Sequence, residues 1–311
     1  MTKENTYISN VIDAAESSKI QYDRNAKNIL ADKQILARIL KYTLDEFRGM
    51  EIEKIISCIE GTPYVGEIPV EPGLTNSLTE RIQGDTTESN IQNEGVIFFD
   101  VRFHTLLGEE KCKILIDLEA QKSGNAGNLG YHIENRMTYY LGRMVSAQKE
   151  TEFHKSDYDS LKKVKSIWIC MNAEHDSITK FRFMPKAVYG ILGEEPISDQ
   201  IEGVLIRIRS KDNVEASKNE LISMLEDLLR TDDKTIKKDN LQKKHGIHMT
   251  EEFEGRLNVM CNISEVVFEQ AFEKGLARGI EDGIERGIER GIEQGIDQGI
   301  EQGIENVIEQ V

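Results

Sequence analysis

Asp100 and Glu119 lie nineteen positions apart on two runs rich in β-forming residues, GVIFFDVRF and KILIDLEAQKS. Gly108, Glu109 and Glu110 between the runs suit a hairpin turn, and antiparallel pairing about it brings the two carboxylates together. Two acids converging at the end of a buried hairpin repel each other unless a cation sits between them. Ligands that are all oxygen select a hard ion such as Mg²⁺. Such an ion can activate water and stabilise the charge of an in-line attack on phosphorus. Glu119 and Gln121 are two apart and leave one face of their strand, whereas Leu118 and Ala120 leave the other. Lys122 projects from that other face as well unless the strand bulges.

These residues need elements that hold them. A helix is expected from Asp32 to Gly49, where Ile35, Leu36, Ile39, Leu40, Thr43 and Phe47 recur at three- and four-residue spacing. Glu46 falls at the edge of that apolar stripe, either as a solvated flank with its stem on the core or as a functional carboxylate. A proline- and glycine-bearing loop from Gly61 to Gly95 holds a short strand near Tyr64 to Val70. The hairpin runs from Gly95 to Leu107 and from Lys111 to Gln121. A second amphipathic helix over 131–149 follows, with Ile133, Met137, Leu141, Met144 and Val145 on one side.

On that second helix Arg136 and Arg143 flank the stripe and Tyr139 lies farther round, placed for phosphate contact or for surface ion pairs. Tyr140 falls within the stripe as a core residue. Gln148 at its edge either hydrogen-bonds near the carboxylates or caps the packing. Val164 to Asn172 reads as a buried strand, Thr179 to Tyr189 and Gly203 to Ser210 as further strands, and Ser217 to Arg230 and Glu251 to Lys274 as helices.

The chain has 311 residues, 39% hydrophobic and 30% charged, enough for a real core and too rich in apolar residues for a wholly disordered chain. Four scattered cysteines without a C-x-x-C pair argue against a zinc knuckle or a disulfide framework. His245 and His248 lack the companions a zinc site needs. No apolar run approaches a membrane span and the start lacks a signal-peptide pattern, so a cytoplasmic protein without membrane contact is expected. The net charge of −16 opposes nucleic-acid binding in bulk. Contact with phosphate would fall to local clusters such as Lys162, Lys163 and Lys165, or Lys237, Lys238, Lys243 and Lys244, for which solvated surface is the simpler reading.

From Gly275 onward glycine recurs at every fourth position through Gly303, mostly followed by isoleucine and an acid. Four residues advance a helix by about 400°, so the isoleucines drift about 40° per repeat and keep no straight stripe. Each glycine costs about 1 kcal/mol relative to alanine. The tail, with nine acids and three arginines, is therefore either frayed or a helical arm ordered by self-association.

The order of helix, β-hairpin carrying D…ExQ, helix and strand resembles the PD-(D/E)XK nuclease superfamily. More closely, DKQILARILKYTLDEF, NEGVIFFDVRF, LIDLEAQKS, RMTYYLGRMVSAQ, KSIWICMNA and the glycine-repeat tail together are similar to the recombination-promoting nuclease/putative transposase (Rpn) family, over about residues 30 to 311. The resemblance implies an α/β protein with a restriction-endonuclease-like core, α-β-β-β-α-β around a mixed sheet. Its domains would be an N-terminal extension over 1–30, a nuclease-like domain over 31–210, a helical region over 211–274 and an oligomerising tail over 275–311. It further implies that Asp100, Glu119 and the Ala120 carbonyl ligate Mg²⁺ or Mn²⁺ and that Gln121 takes the position of the superfamily lysine. Glu46 would match the acid contributed by the first core helix. DNA would be the substrate, with Arg136, Arg143 and Tyr139 as candidate contacts, and a homo-oligomer would form through the tail. Glutamine in place of lysine hydrogen-bonds water but brings no charge, although the Rpn-like branch shows the same residue. The alternative is a catalytically silent nuclease fold that binds nucleic acid or protein and self-associates through its tail.

Overall fold

Alternation in ILIDLEAQ gives one strand two different faces, and the architecture follows from covering both. The computed structural model of the chain describes residues 24–66, 88–91, 95–98, 100–108, 112–121, 125–149, 151–183, 186–190, 200–210, 217–231, 233–262, 279, 282–292 and 294–296. Helices α1 (24–30), α2 (Lys33–Thr43) and α3 (Ile52–Cys58) come first. Strands β1 (Tyr64–Val65), β2 (Glu88–Ile91), β3 (Gly95–Phe98), β4 (Val101–Leu107) and β5 (Cys112–Gln121) follow. Next are α4 (Ala126–Leu129), α5 (Ile133–Ser146), β6 (Lys163–Ala173), β7 (Ser177–Arg182) and β8 (Ile201–Arg209). Helices α6 (Glu220–Arg230) and α7 (Lys234–Asp239) then lead through a π-helical turn at Asn240–Lys244 to α8 (251–262).

The chain is α/β, with a six-stranded mixed sheet in the order β1-β4-β5-β6-β8-β7. β1, β4 and β5 pair antiparallel, β5 and β6 run parallel across the α5 crossover, and β6 and β8 run parallel again. Opposite Leu115, Asp117, Glu119 and Gln121 on β5 stand Val164, Ser166, Trp168 and Cys170 of β6. This face is covered by α5, whose Ile133, Met137, Tyr140, Leu141 and Met144 pack on Leu115, Val164, Trp168, Cys170 and Leu205. The other face carries Ile116, Leu118, Lys165, Ile167 and Glu202. α3 lies against β4 and α6 against β8 and α2.

Several sequence expectations need correction. The run from Gly95 to Leu107 is two strands: β3 pairs with β2 in a separate two-stranded ladder, and only β4 pairs with β5. Asp100 sits in the bend just before β4. The helix expected to reach Gly49 stops at Thr43, because Leu44 is extended, and Asp45–Phe47 form a separate 3-10 turn. The strand expected to reach Tyr189 ends at Arg182. α1 is part of the core, with Ile29 and Leu30 buried, although it lies in what reads as an N-terminal extension. One compact unit spans 24–259 and so takes in both the expected nuclease-like domain and most of the helical region. The second unit comprises 1–23 and 260–311; its described part includes a helix, α9 (282–292), on which Ile284, Ile288 and Ile292 are each 59% exposed. The expected helix beyond residue 262 up to Lys274 lies outside the described residues.

Close contact between α5 and the sheet depends on Gly203 of β8. A Cβ there would stand 2.7 Å from both Cε and Sδ of Met137. Gly203→Ala is therefore expected to lower stability by about 1–3 kcal/mol, moderated by the flexible thioether, as a fall in the urea midpoint with unchanged slope would show.

Candidate functional site

The antiparallel register pairs Val101 with Leu118, which sets Asp100 beside Glu119. The backbone N–H of Asp100 donates to Glu119 Oε1 at 2.9 Å, and the Ala120 N–H donates to Asp100 Oδ2 at 2.9 Å. The two acids are thus neighbours, each carboxylate accepting a backbone N–H from beside the other. Two further charged groups join them that sequence reasoning did not single out. Lys27 of α1, itself 4% exposed, places Nζ 2.9 Å from Asp100 Oδ1. Asp117, two residues before Glu119 on the same face, is fully buried and accepts from the Ser166 hydroxyl at 2.8 Å. That hydroxyl in turn accepts the Trp168 indole N–H at 2.8 Å.

Charge is crowded here. Burial pushes the Glu119 carboxyl well above its ordinary range, and the charges of Asp100 and Asp117 push it the same way. Asp117 is pushed up to about 7 by burial, against the pull of hydrogen bonds from Ser166 and Glu119. Its Oδ1 is buried with no hydrogen-bond partner. Opposing this negative charge from α5, Arg136 has its pKa raised, against the pull of burial, by Tyr140 and then Glu119, while its guanidinium donates to the hydroxyls of Tyr131 and Tyr140 and lies over the Trp168 ring.

Carboxylate and peptide oxygens are donors of the kind a hard divalent cation takes, and here Asp100 Oδ1 pairs with Lys27 while Asp100 Oδ2 and Glu119 Oε1 accept backbone N–H groups. Among the described residues, no group of three or more His, Cys, Asp or Glu side chains is gathered as a metal site. The fit therefore rests on two carboxylates and a carbonyl. Gln121 leaves the same face as Glu119 and is half-buried.

Other candidates go elsewhere. Glu46, on the 3-10 turn after α2, pairs with Lys165 Nζ at 2.9 Å, and Lys165 shares the sheet face of Ile116, opposite to that of Glu119. It is not brought to Asp100. Arg143 is 2% exposed, stacks over the Tyr139 ring and donates to its hydroxyl at 3.0 Å, so the pair forms a helix-surface clamp in which only Tyr139 faces solvent. Gln148 exchanges two hydrogen bonds with the Lys162 backbone, at 2.8 and 3.0 Å, and ties the end of α5 to β6. Neither lysine cluster forms an open basic patch: Lys165 and Lys237 are buried, and Lys238, Lys243 and Lys244 pair with Glu254, Asp239 and Asp227. His245 also pairs with Asp227. Lys122 lies outside the described residues.

A period of two along β5 is a signal that could have drawn Asp117 into the set. Nothing local marks Lys27, which reaches the site only through the packing of α1. No family model matches the chain, and no curated protein or solved structure is similar enough to count as a relative.

Proposed function

We propose that the chain is a metal-dependent endonuclease that hydrolyses phosphodiester bonds in DNA, built on a PD-(D/E)XK-type core. The observation that carries this reading is the contact between Asp100 and Glu119 at the mouth of an antiparallel pair. That pair is followed by a crossover helix and a parallel strand, and α2, β1, β4, β5, α5 and β6 would supply the α-β-β-β-α-β core with α3, the β2–β3 ladder and α4 inserted. Asp100, Glu119 and the Ala120 carbonyl would hold Mg²⁺ or Mn²⁺, which when bound supplies an acidified water and charge stabilisation at phosphorus. Lys27 pairs with Asp100 and holds its carboxylate in place. The Gln121 amide, on the face of Glu119, would orient water by hydrogen bonding. Arg136 offsets the buried acids from the α5 side. Tyr139 is left as the exposed DNA-contact candidate on α5, since its partner Arg143 is buried.

A second reading is favoured by a specific feature. Lys27 and Arg136 supply the compensating positive charge from the protein itself, as a catalytically silent fold that binds nucleic acid or protein would require. Supercoiled plasmid incubated with full-length protein in Mg²⁺, Mn²⁺ or EDTA separates the two. The endonuclease gives nicking that EDTA stops; intact plasmid with either metal leaves the silent fold.

Gln121→Lys is expected to preserve or raise the nicking rate and Gln121→Leu to lower it, because a lysine at that position would bring charge to the scissile phosphate. Equal rates in all three proteins would remove Gln121 from the reaction. For the tail we propose self-association, as the exposed isoleucines of α9 would gain burial against a partner. Deleting residues 275–311 should lower the mass seen by light scattering, most simply from dimer to monomer, with the core still folded. An identical mass at all concentrations would rule the tail out as the assembly element.

A further inference from the structure

The chain is acidic, yet one cavity on the α2 and α6 side of the sheet is lined by basic residues. Its volume is about 430 Å³, within the range of small-molecule sites. Arg38, Lys41, Lys218 and Lys244 line it, with Glu220 as the one acid. Of these cations Lys244 is neutralised by Asp227 at 3.0 Å. Arg38 donates its guanidinium N–H groups to the carbonyls of Gln34, His245 and Gly246, which fix its position, and the acids acting on its charge, Glu53 and Asp32, stand outside the cavity lining. Lys41 and Lys218 make no ion pair among the described residues, and Glu220 is engaged by the Tyr42 hydroxyl. Three cations, Arg38, Lys41 and Lys218, therefore line one cavity against the single carboxylate of Glu220, and Arg38 is held in place by backbone carbonyls. Such pre-organised positive charge favours a compact anion over scattered counter-ions.

The remaining wall is partly apolar, shared with Ser217, Ser223 and His245. Ile52 of α3 and Leu221 and Met224 of α6 line the same cavity, with the Tyr42 ring beside them. An anion alone would leave that surface wet, whereas a ligand with a phosphate at one end and a flat, weakly polar ring at the other would cover both.

We propose that this cavity binds a nucleoside 5′-phosphate, with the phosphate on Arg38, Lys41 and Lys218 and the base against Ile52, Leu221, Met224 and Tyr42. The group can come from a free nucleotide or from the phosphorylated end of a strand. The proposal does not depend on the carboxylate centre being hydrolytic, since the cavity shares no residue with it.

Calorimetric titration of the full-length protein tests it, with AMP, adenosine, inorganic phosphate and a short 5′-phosphorylated oligonucleotide as probes. AMP is expected to bind more tightly than adenosine or phosphate. The Lys41→Ala/Lys218→Ala double variant, with both positions on the protein surface and melting unchanged, should weaken it by about tenfold or more, and the corresponding double arginine variant should restore it. Binding of the oligonucleotide but not of AMP, with the same response to the variants, would identify a strand end as the source. The proposal is overturned if no probe binds, if inorganic phosphate binds as tightly as AMP, or if the alanine double variant binds like the parent.

Discussion

Glu119→Gln is expected to reduce metal-dependent plasmid nicking by about a thousandfold or more, the rate equivalent of the several kcal/mol of charge stabilisation that a bound metal supplies. Glutamine is the informative replacement because its carbonyl can still accept the Asp100 N–H now bound by Glu119 Oε1. Asp100→Ala is a poorer test, since it strands the buried ammonium of Lys27. The same Glu119→Gln protein should melt higher than the parent near neutral pH in EDTA. A carboxyl whose folded pKa is raised adds stability that is full below its unfolded value, 4.5 for Glu119, and lost as pH rises through the folded value. The difference in melting temperature should therefore shrink as pH falls toward 4.5. Undiminished nicking by this variant would sink the metal-ligand assignment, whereas a melting advantage that grew on acidification would contradict the burial account.

Lys165→Met should cost about 3 kcal/mol of stability, through loss of a buried ion-pair partner and not through loss of volume. Lys165 is 1% exposed and lies between Glu46 Oε1 at 2.9 Å and Glu202 Oε2 at 3.9 Å. Burial works against the Glu46 charge, but the hydrogen bond and charge of Lys165 hold its carboxyl below the ordinary range. Among the described residues, removing the lysine leaves Glu46 the ion pair with Lys163, at 3.6 Å, and leaves Glu202 to Arg182 and Lys180. Denaturant unfolding measures the loss, and a second substitution, Glu46→Gln, should recover part of it because it deletes the stranded charge. By the same geometry Glu46→Gln alone should leave nicking within about twofold of the parent, as expected of a site distant from the chemistry. A large fall would return Glu46 to the reacting centre.

What the sequence determined by itself is local and periodic. The alternation in β5, the turn at Gly108 and the 3.6-residue pattern of α5 are properties of short windows, and they sufficed to place Asp100 against Glu119 and Tyr140 in the core. Gln148 was legible as an edge residue but not as the clamp on Lys162 that it proves to be. Only the tertiary structure decided the rest, because it depends on which faces meet. Glu46 follows a helix whose stripe its spacing extends, yet one extended residue, Leu44, turns it toward Lys165 on the far side of the sheet. Lys27 and Asp100 are separated by more than seventy residues and meet through the docking of α1, which no window can report. Arg143 reads as a surface cation and is buried, because its long apolar stem and the Tyr139 ring cover each other. Long-range charge pairing is set by the fold that brings the groups together, so sequence spacing exposes candidates for a site while packing selects among them.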